Sequence, residues 1–350
     1  MIQELSAPGE FGVGRETATF RDQSRPTDKN GEYPGDPSRT LVTEIWYPIR
    51  ESTGTAEIKG APLAGGTFPL VVFCHGFMGN RRQSVIITSH LASHGYIVAS
   101  PDFPLSNTFA PGGPTSDLVN QPADVSFLID SLLGFSSPSG NRFSEAIDEK
   151  AIGVSGHSLG GGTTIMTVFG SNADPRIKAA APLAPFSCLF GDEFYSTGGV
   201  PIIFISGSRD IFTRFTSNAS RSYNLVPPPR YLAKIAGGTH IGFTDLDIPE
   251  TSELTQVMFG LSPNSEMVLG FTQLIEVTHG NFLQCSDLFS SAAQLEAIPQ
   301  IAGDLQRRIS GVLLAGFFNL YLRNQEKYRD LLKEDINQYL PDLTLKWQEK

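Results

Sequence analysis

Gly156-His157-Ser158-Leu159-Gly160 is the stretch that most restricts how this chain folds. It follows a short apolar run, residues 151–154, and opens a small-residue segment that begins with Gly161 and Gly162. Strand, sharp turn and helix in that order make a nucleophile elbow, in which a serine side chain projects from a strained turn. The turn brings backbone so close that Gly156 and Gly160 must lack side chains, and a hydroxyl presented this way needs only a neighbouring base to become a nucleophile. Ser158 is therefore the candidate nucleophile. A chance Gly-x-Ser-x-Gly in a loop would lack the strand before it and the helix after it.

Elbows of this kind take an acid and then a histidine further along the chain. Residues 200–206 form an apolar, β-rich run that ends in Gly207-Ser208-Arg209-Asp210, which puts Asp210 at the carboxyl end of a buried parallel strand. Residues 231–235 read as the next strand and leave it through Gly237-Gly238-Thr239-His240. His240 thus also sits on a strand-end loop, where open α/β sheets gather their chemistry. Asp210 would orient the imidazole, and His240 would take the proton from Ser158 and return it to the leaving group.

The rivals are few. His90 and His94 stand at i and i+4 on a helix without a third ligand, so a solvated helix face is expected of them rather than a metal pair. His157 lies inside the elbow and is expected to point away from the hydroxyl, and His279 stands in a region without a clear placement. Asp102 follows the strand at 96–100 and is the alternative acid, with the tying down of loop amides as its expected role. Asp245 and Asp247 lie too close to His240 in sequence to return to its ring.

Residues 68–74 form a buried strand that runs straight into His75-Gly76-Phe77. The N–H after such a His-Gly, with the N–H that follows the nucleophile, would stabilise a developing alkoxide; those donors are the amides of Phe77 and Leu159. For the His75 ring itself, packing or hydrogen bonding within the loop is expected. Large apolar residues on strand-end loops line ligand pockets. Met78, Phe103, Phe186, Phe212 and Ile241 are the expected pocket, with service as core plugs as their alternative.

With these parts in order, the chain resembles the α/β-hydrolase superfamily, and within it the branch of platelet-activating factor acetylhydrolases, predicted dienelactone hydrolases and cutinase-like polyester hydrolases. The likeness extends from Gly12-Val13-Gly14 and Thr17-Ala18-Thr19-Phe20-Arg21-Asp22 through Thr43-Glu44-Ile45-Trp46-Tyr47-Pro48 to His75-Gly76-Phe77, the elbow, the Asp210 loop and Gly237-Gly238-Thr239-His240. It implies an α/β-hydrolase fold, a mostly parallel central sheet with helices on both faces. It also implies a serine carboxylic ester hydrolase that works through an acyl-enzyme on short or medium acyl, lipid or polyester-like esters. Dienelactone hydrolases carry cysteine where this chain has Ser158, so ester rather than dienelactone is the implied substrate. A serine peptidase or amidase is the alternative enzyme, and a non-catalytic hydrolase-fold receptor the alternative of another class.

Composition sets bounds. At 350 residues and 40% hydrophobic content the chain can bury one large core. The β-α alternation between residues 70 and 235 fits a parallel sheet. A single domain over 1–350 is expected, with 249–310 as an accessory helical insertion whose Met258 and Phe271 either border the pocket or merely cover the outer face of the core. A net charge of −10 without a Lys/Arg cluster argues against nucleic acid. Residues 311–322 are interrupted by Asn319 and fall short of the roughly 20 residues of a membrane span, so they read as a buried helix continuing toward Leu332.

No His/Cys/Asp/Glu grouping has convincing ligand spacing, and neither a metal nor another cofactor is expected. Cys74 is expected to be a small buried hydrophobe, whereas Cys188 and Cys285 pair only in an oxidising compartment and their proximity is open. Residues 1–14 lack the apolar centre of a leader. A soluble chain is expected, cytoplasmic unless a leader has been removed, in which case secreted or periplasmic.

Overall fold

The computed structural model describes residues 2–51, 54–115, 117–134, 142–143, 145–246, 266–285, 294, 297–336 and 340–349, with only the backbone of 266–270 and 334–335. Alternating burial builds its sheet. In β4 (Phe68–Cys74) Leu70, Val72 and Cys74 face one core while Val71 and Phe73 face another, as side chains of period two must. In β6 (Ile147–His157) Ile152 and Val154 join the first core and Ala151 the second. Both faces are covered, which is why these strands read as continuous apolar runs.

The remaining strands are β1 (Gly12–Asp22), β2 (Arg39–Ile49), β3 (Glu57–Lys59), β5 (Ile97–Pro101), β7 (Ile177–Leu183), β8 (Ile202–Gly207), β9 (Arg230–Ile235) and β10 (Leu343–Gln348). Their order is β10-β9-β8-β7-β6-β4-β5-β2-β1-β3. The run from β9 to β5 is parallel throughout, and β2 and β10 flank it antiparallel. The chain passes from β4 to β5 on one side and then to β6 on the other, so the strand order reverses between β4 and β6. A crevice opens at the carboxyl ends of such a pair.

The helices are α1 (Ile2–Ser6), α2 (Val85–Ser93), α3 (Gln121–Leu132), α4 (Leu159–Met166), α5 (Arg221–Leu225), α6 (Glu266–Thr278), α7 (Gly303–Tyr321) and α8 (Lys327–Asp330). Leu128 of α3 and Ile165 of α4 lie in the first core; Leu91 of α2 and Phe317 of α7 lie in the second. This is the expected mostly parallel sheet with helices on both faces. No helix of the described residues is long and apolar enough to cross a membrane.

Several expectations need correction. The helix of residues 311–322 begins at Gly303, ends at Tyr321 and does not continue to Leu332, because Asn324 takes a left-handed φ of 54° before α8 starts. Two edge strands lie outside the β-α alternation of residues 70–235: β3, which pairs with β1, and the C-terminal β10, which pairs with β9. His90 and His94 do not form a solvated face. The His90 ring lies against Gly311 of α7, His94 Nε2 reaches the carbonyl of Ala7, and the two rings stand 4.5 Å apart. Within 249–310, α6, the turn Phe282–Cys285 and the start of α7 from Gly303 are helical, while Met258 lies outside the described residues. Cys188 and Cys285, whose proximity was open, are joined as a disulfide across 97 residues, and Cys74 is a buried free thiol.

Candidate active site

β6 ends at His157 and α4 starts at Leu159, and the Ser158 between them has φ 58° and ψ −116°. A non-glycine residue held there costs about 1–3 kcal/mol, so its surroundings must fix it. They do so through three hydrogen bonds. The Ser158 N–H donates to the Leu183 carbonyl at 3.0 Å, and the Ser158 carbonyl accepts the N–H groups of Gly162 at 3.1 Å and Phe186 at 2.9 Å. A Cβ on Gly156 would stand 2.4 Å from the Gly160 carbonyl oxygen, and one on Gly160 would stand 2.2 Å from that of Cys74. Both glycines are therefore required by the turn.

Asp210 leaves β8 and His240 leaves β9, and the structure brings them together: His240 Nδ1 lies 2.8 Å from Asp210 Oδ2. Both side chains are buried. Asp210 Oδ1 accepts the amides of Phe212 at 2.9 Å and Thr213 at 2.7 Å, so the carboxylate is held from its own loop. The Thr213 hydroxyl lies 2.8 Å from Asp210 Oδ2, 2.9 Å from the Ala184 carbonyl and 3.2 Å from His240 Nδ1. Sequence reasoning missed Thr213. The signal was available in Asp210-Ile211-Phe212-Thr213, where a carboxylate and a hydroxyl three apart close a local turn.

His157 connects the elbow to the histidine loop. Its Nε2–H donates to the His240 carbonyl at 3.0 Å, and the two rings lie 4.5 Å apart. Burial, together with the neighbouring His240, pushes the His157 imidazole well below its ordinary pKa. It is a neutral ring turned toward the histidine loop.

The loop after β4 lies against the elbow, since a Cβ on Gly76 would stand 3.2 Å from Ser158 Cβ. Three of its amides are occupied. Gly76 N–H donates to Gln83 Oε1, Met78 N–H to the Ser106 carbonyl and Gly79 N–H to the Gly76 carbonyl. The amides of Phe77 and Leu159 have no acceptor among the described residues, which is the state an anion-binding pair requires. His75 Nδ1–H donates to the Gly76 carbonyl at 2.7 Å and its Nε2 accepts the Phe103 amide at 3.0 Å. Its ring braces the loop from below.

The expected pocket residues divide. Phe212 packs its ring 5.0 Å from that of His240, and Ile241 follows His240 into a short 3₁₀ turn. Phe186 stacks on Phe271 of α6 at 4.9 Å, and Met78, with φ 58°, is 41% exposed at the rim. Phe103 is fully buried against His75, so it belongs to the core beneath the loop rather than to a pocket surface. Asp102 accepts the backbone N–H and the guanidinium of Arg81, at 2.6 and 2.5 Å. Asp245 accepts the amides of Val85 and Ile86 at the start of α2 and does not face the His240 ring. Asp247 lies outside the described residues. No group of three or more His, Cys, Asp or Glu among the described residues is arranged to hold a metal.

Known proteins share this frame. A ferulic acid esterase from Streptomyces cinnamoneus superposes with a TM-score of 0.64 over 96% of both chains at 20% identity, which shows the α/β-hydrolase fold. The bis(hydroxyethyl) terephthalate hydrolase of Streptomyces coelicolor is 27% identical over 224 residues, 62% of this chain and 59% of that protein. Cutinase 2 of Thermobifida cellulosilytica is 24% identical over 182 residues, 51% of this chain and 63% of that protein. The matches thus span less than two thirds of either curated relative. A family model described as PET hydrolase-like matches residues 48–248, more than half of the chain, from the end of β2 past the His240 loop. The chain belongs to the PET hydrolase-like family.

Proposed function

We propose that this chain is a serine carboxylic ester hydrolase whose substrates are apolar esters, among them aromatic diesters of the bis(hydroxyethyl) terephthalate kind and polyesters. The observation that carries this reading is the buried 2.8 Å contact between Asp210 Oδ2 and His240 Nδ1 beside the strained Ser158 turn. With Nδ1–H committed to the carboxylate, the lone pair of Nε2 is left to take the Ser158 proton. The Ser158 oxygen attacks the ester carbonyl, and the amides of Phe77 and Leu159 receive the negative charge on the carbonyl oxygen. Collapse expels the alcohol with the proton from His240 and leaves an acyl group on Ser158. Water, deprotonated by the same imidazole, then releases the acid. The names of the relatives support ester chemistry.

The test is direct. Ser158→Ala is expected to lower turnover of p-nitrophenyl esters by on the order of 10⁶ with the melting temperature retained, and to abolish labelling by a fluorophosphonate. A folded Ser158→Ala variant with near-normal turnover would refute the mechanism. Hydrolysis of bis(hydroxyethyl) terephthalate beside acyl esters and a phospholipid ranks the substrate classes.

A further inference from the structure

Gln83, the second residue before α2, has a side chain that touches both halves of the site. Its Oε1 accepts the Gly76 N–H at 3.0 Å, and its Nε2 donates to His157 Nδ1 at 2.9 Å. His157 Nε2–H in turn donates to the His240 carbonyl at 3.0 Å. The donors all point one way: Gly76 to Gln83, Gln83 to His157, His157 to His240. That direction is forced. The His240 carbonyl only accepts, so His157 Nε2 must carry the hydrogen, and a neutral ring then has a bare Nδ1 that needs a donor. A primary amide supplies a donor there and an acceptor for Gly76 on one planar group, which a carboxylate or an alkyl chain of the same length does not.

The segment that carries Gln83 is fastened to the histidine loop independently of this relay. Ser84 Oγ donates to the Phe243 carbonyl at 3.0 Å, the Asp245 N–H donates to the Gln83 carbonyl at 3.0 Å, and the Asp245 carboxylate takes the amides of Val85 and Ile86. That segment therefore has anchors on the histidine loop that do not depend on the Gln83 amide. What the amide adds is the setting of Gly76, one residue before the unoccupied Phe77 amide, against the residue that carries the base.

We infer that Gln83 is a positioning residue of the reaction, registering the oxyanion loop against His240 through His157. The inference rests on the serine mechanism proposed above. Alignment of the Phe77 N–H with a developing oxyanion matters in the transition state and little in the bound ester, so its loss falls on kcat and spares KM.

The experiment compares wild type, Gln83→Met, His157→Phe, the double variant and Ser158→Ala on a p-nitrophenyl ester, with melting temperatures. Methionine keeps the length and apolar bulk of Gln83 but neither hydrogen bond. Gln83→Met is expected to lower kcat about tenfold or more with KM within about twofold. The double variant is expected to be no slower than the slower single one, because both changes break the same relay. Wild-type kcat in Gln83→Met overturns the inference, since packing alone then suffices; so does a loss confined to KM, or full additivity in the double variant. Should Gln83→Met melt below the assay temperature, His157→Phe decides alone, and wild-type kcat in it overturns the inference because the relay has lost its middle. Each of these outcomes leaves the serine mechanism standing while Ser158→Ala is inactive. Activity in Ser158→Ala is the separate sign that the mechanism itself fails.

Discussion

Asp210 faces His240 with one carboxylate oxygen and its own loop with the other: Oδ2 lies 2.8 Å from His240 Nδ1, while Oδ1 holds the amides of Phe212 and Thr213. Asp210→Asn preserves the shape of this contact but removes the counter-charge and allows the wrong imidazole tautomer. Turnover is expected to fall about 10⁴-fold. Asp102 is bound to Arg81 instead, so Asp102→Asn is expected to act on stability and leave turnover within a few-fold. Steady-state kinetics on the two variants decide, and a reversed order of effects would make Asp102 the acid.

A second prediction concerns acid. His90 is lowered from its ordinary 6.5 to about 4, chiefly by burial and then by the neighbouring His94. A histidine with a depressed folded pKa stays neutral in the fold and takes up its proton on unfolding, so its favourable share is present above about pH 6.5 and lost as pH falls toward 4. A shift of this size corresponds to roughly 3 kcal/mol across that window. The Nε2 of His90 is buried without a hydrogen-bond partner among the described residues, so His90→Leu removes the titration and gives up only the bond of the ring to the Leu5 backbone. Between pH 7 and 5 the melting temperature of wild type is expected to fall further than that of His90→Leu. Parallel curves would show that the loss lies with other groups.

What the sequence disclosed was local. The elbow, the two strand-end loops and the His-Gly-Phe turn are each written within a dozen residues, and the parallel strands are written as apolar runs because both faces are buried. What it hid depends on partners far away. β10 is a short alternating segment, Leu343 to Gln348, that becomes a strand only because β9, more than a hundred residues earlier, offers its edge. Gln83 gives no periodic or chemical signal, and its role comes from the approach of three loops. His90 and His94 read as exposed from spacing alone, but His90 is covered by α7 and His94 is turned to the Ala7 carbonyl.

The disulfide gives a third prediction. Cys188 and Cys285 close a loop of 97 residues, and crosslinks of such span contribute about 2–5 kcal/mol by restricting the unfolded chain. The loop at Cys188 has a second anchor, because Asn218 Oδ1 accepts the amides of Ser187 and Cys188 at 2.9 Å. The double variant Cys188→Ser, Cys285→Ser is therefore expected to unfold at clearly lower denaturant concentration, with turnover below its transition kept within a few-fold. Turnover that collapses while the protein is folded would mean that the crosslink shapes the site.

The last prediction follows from the stack of Phe186 on Phe271. Phe186 sends its amide to the Ser158 carbonyl, and its ring lies 4.9 Å from that of Phe271 at an interplanar angle of 24°. α6 thus reaches the nucleophile through one intervening side chain, and on the pocket role expected of Phe186 the bulk of Phe271 would set how far its ring can withdraw from an incoming acyl group. Phe271→Leu opens space on the far side of Phe186, and the ratio of kcat/KM for long over short acyl esters is expected to rise about tenfold. Loss of a buried ring also destabilises, here by about 1–3 kcal/mol. Melting temperature and chain-length preference are therefore measured on the same preparation. A fall in stability with an unchanged preference would make α6 a scaffold that covers the core, whereas a shifted preference makes it the wall of the acyl pocket.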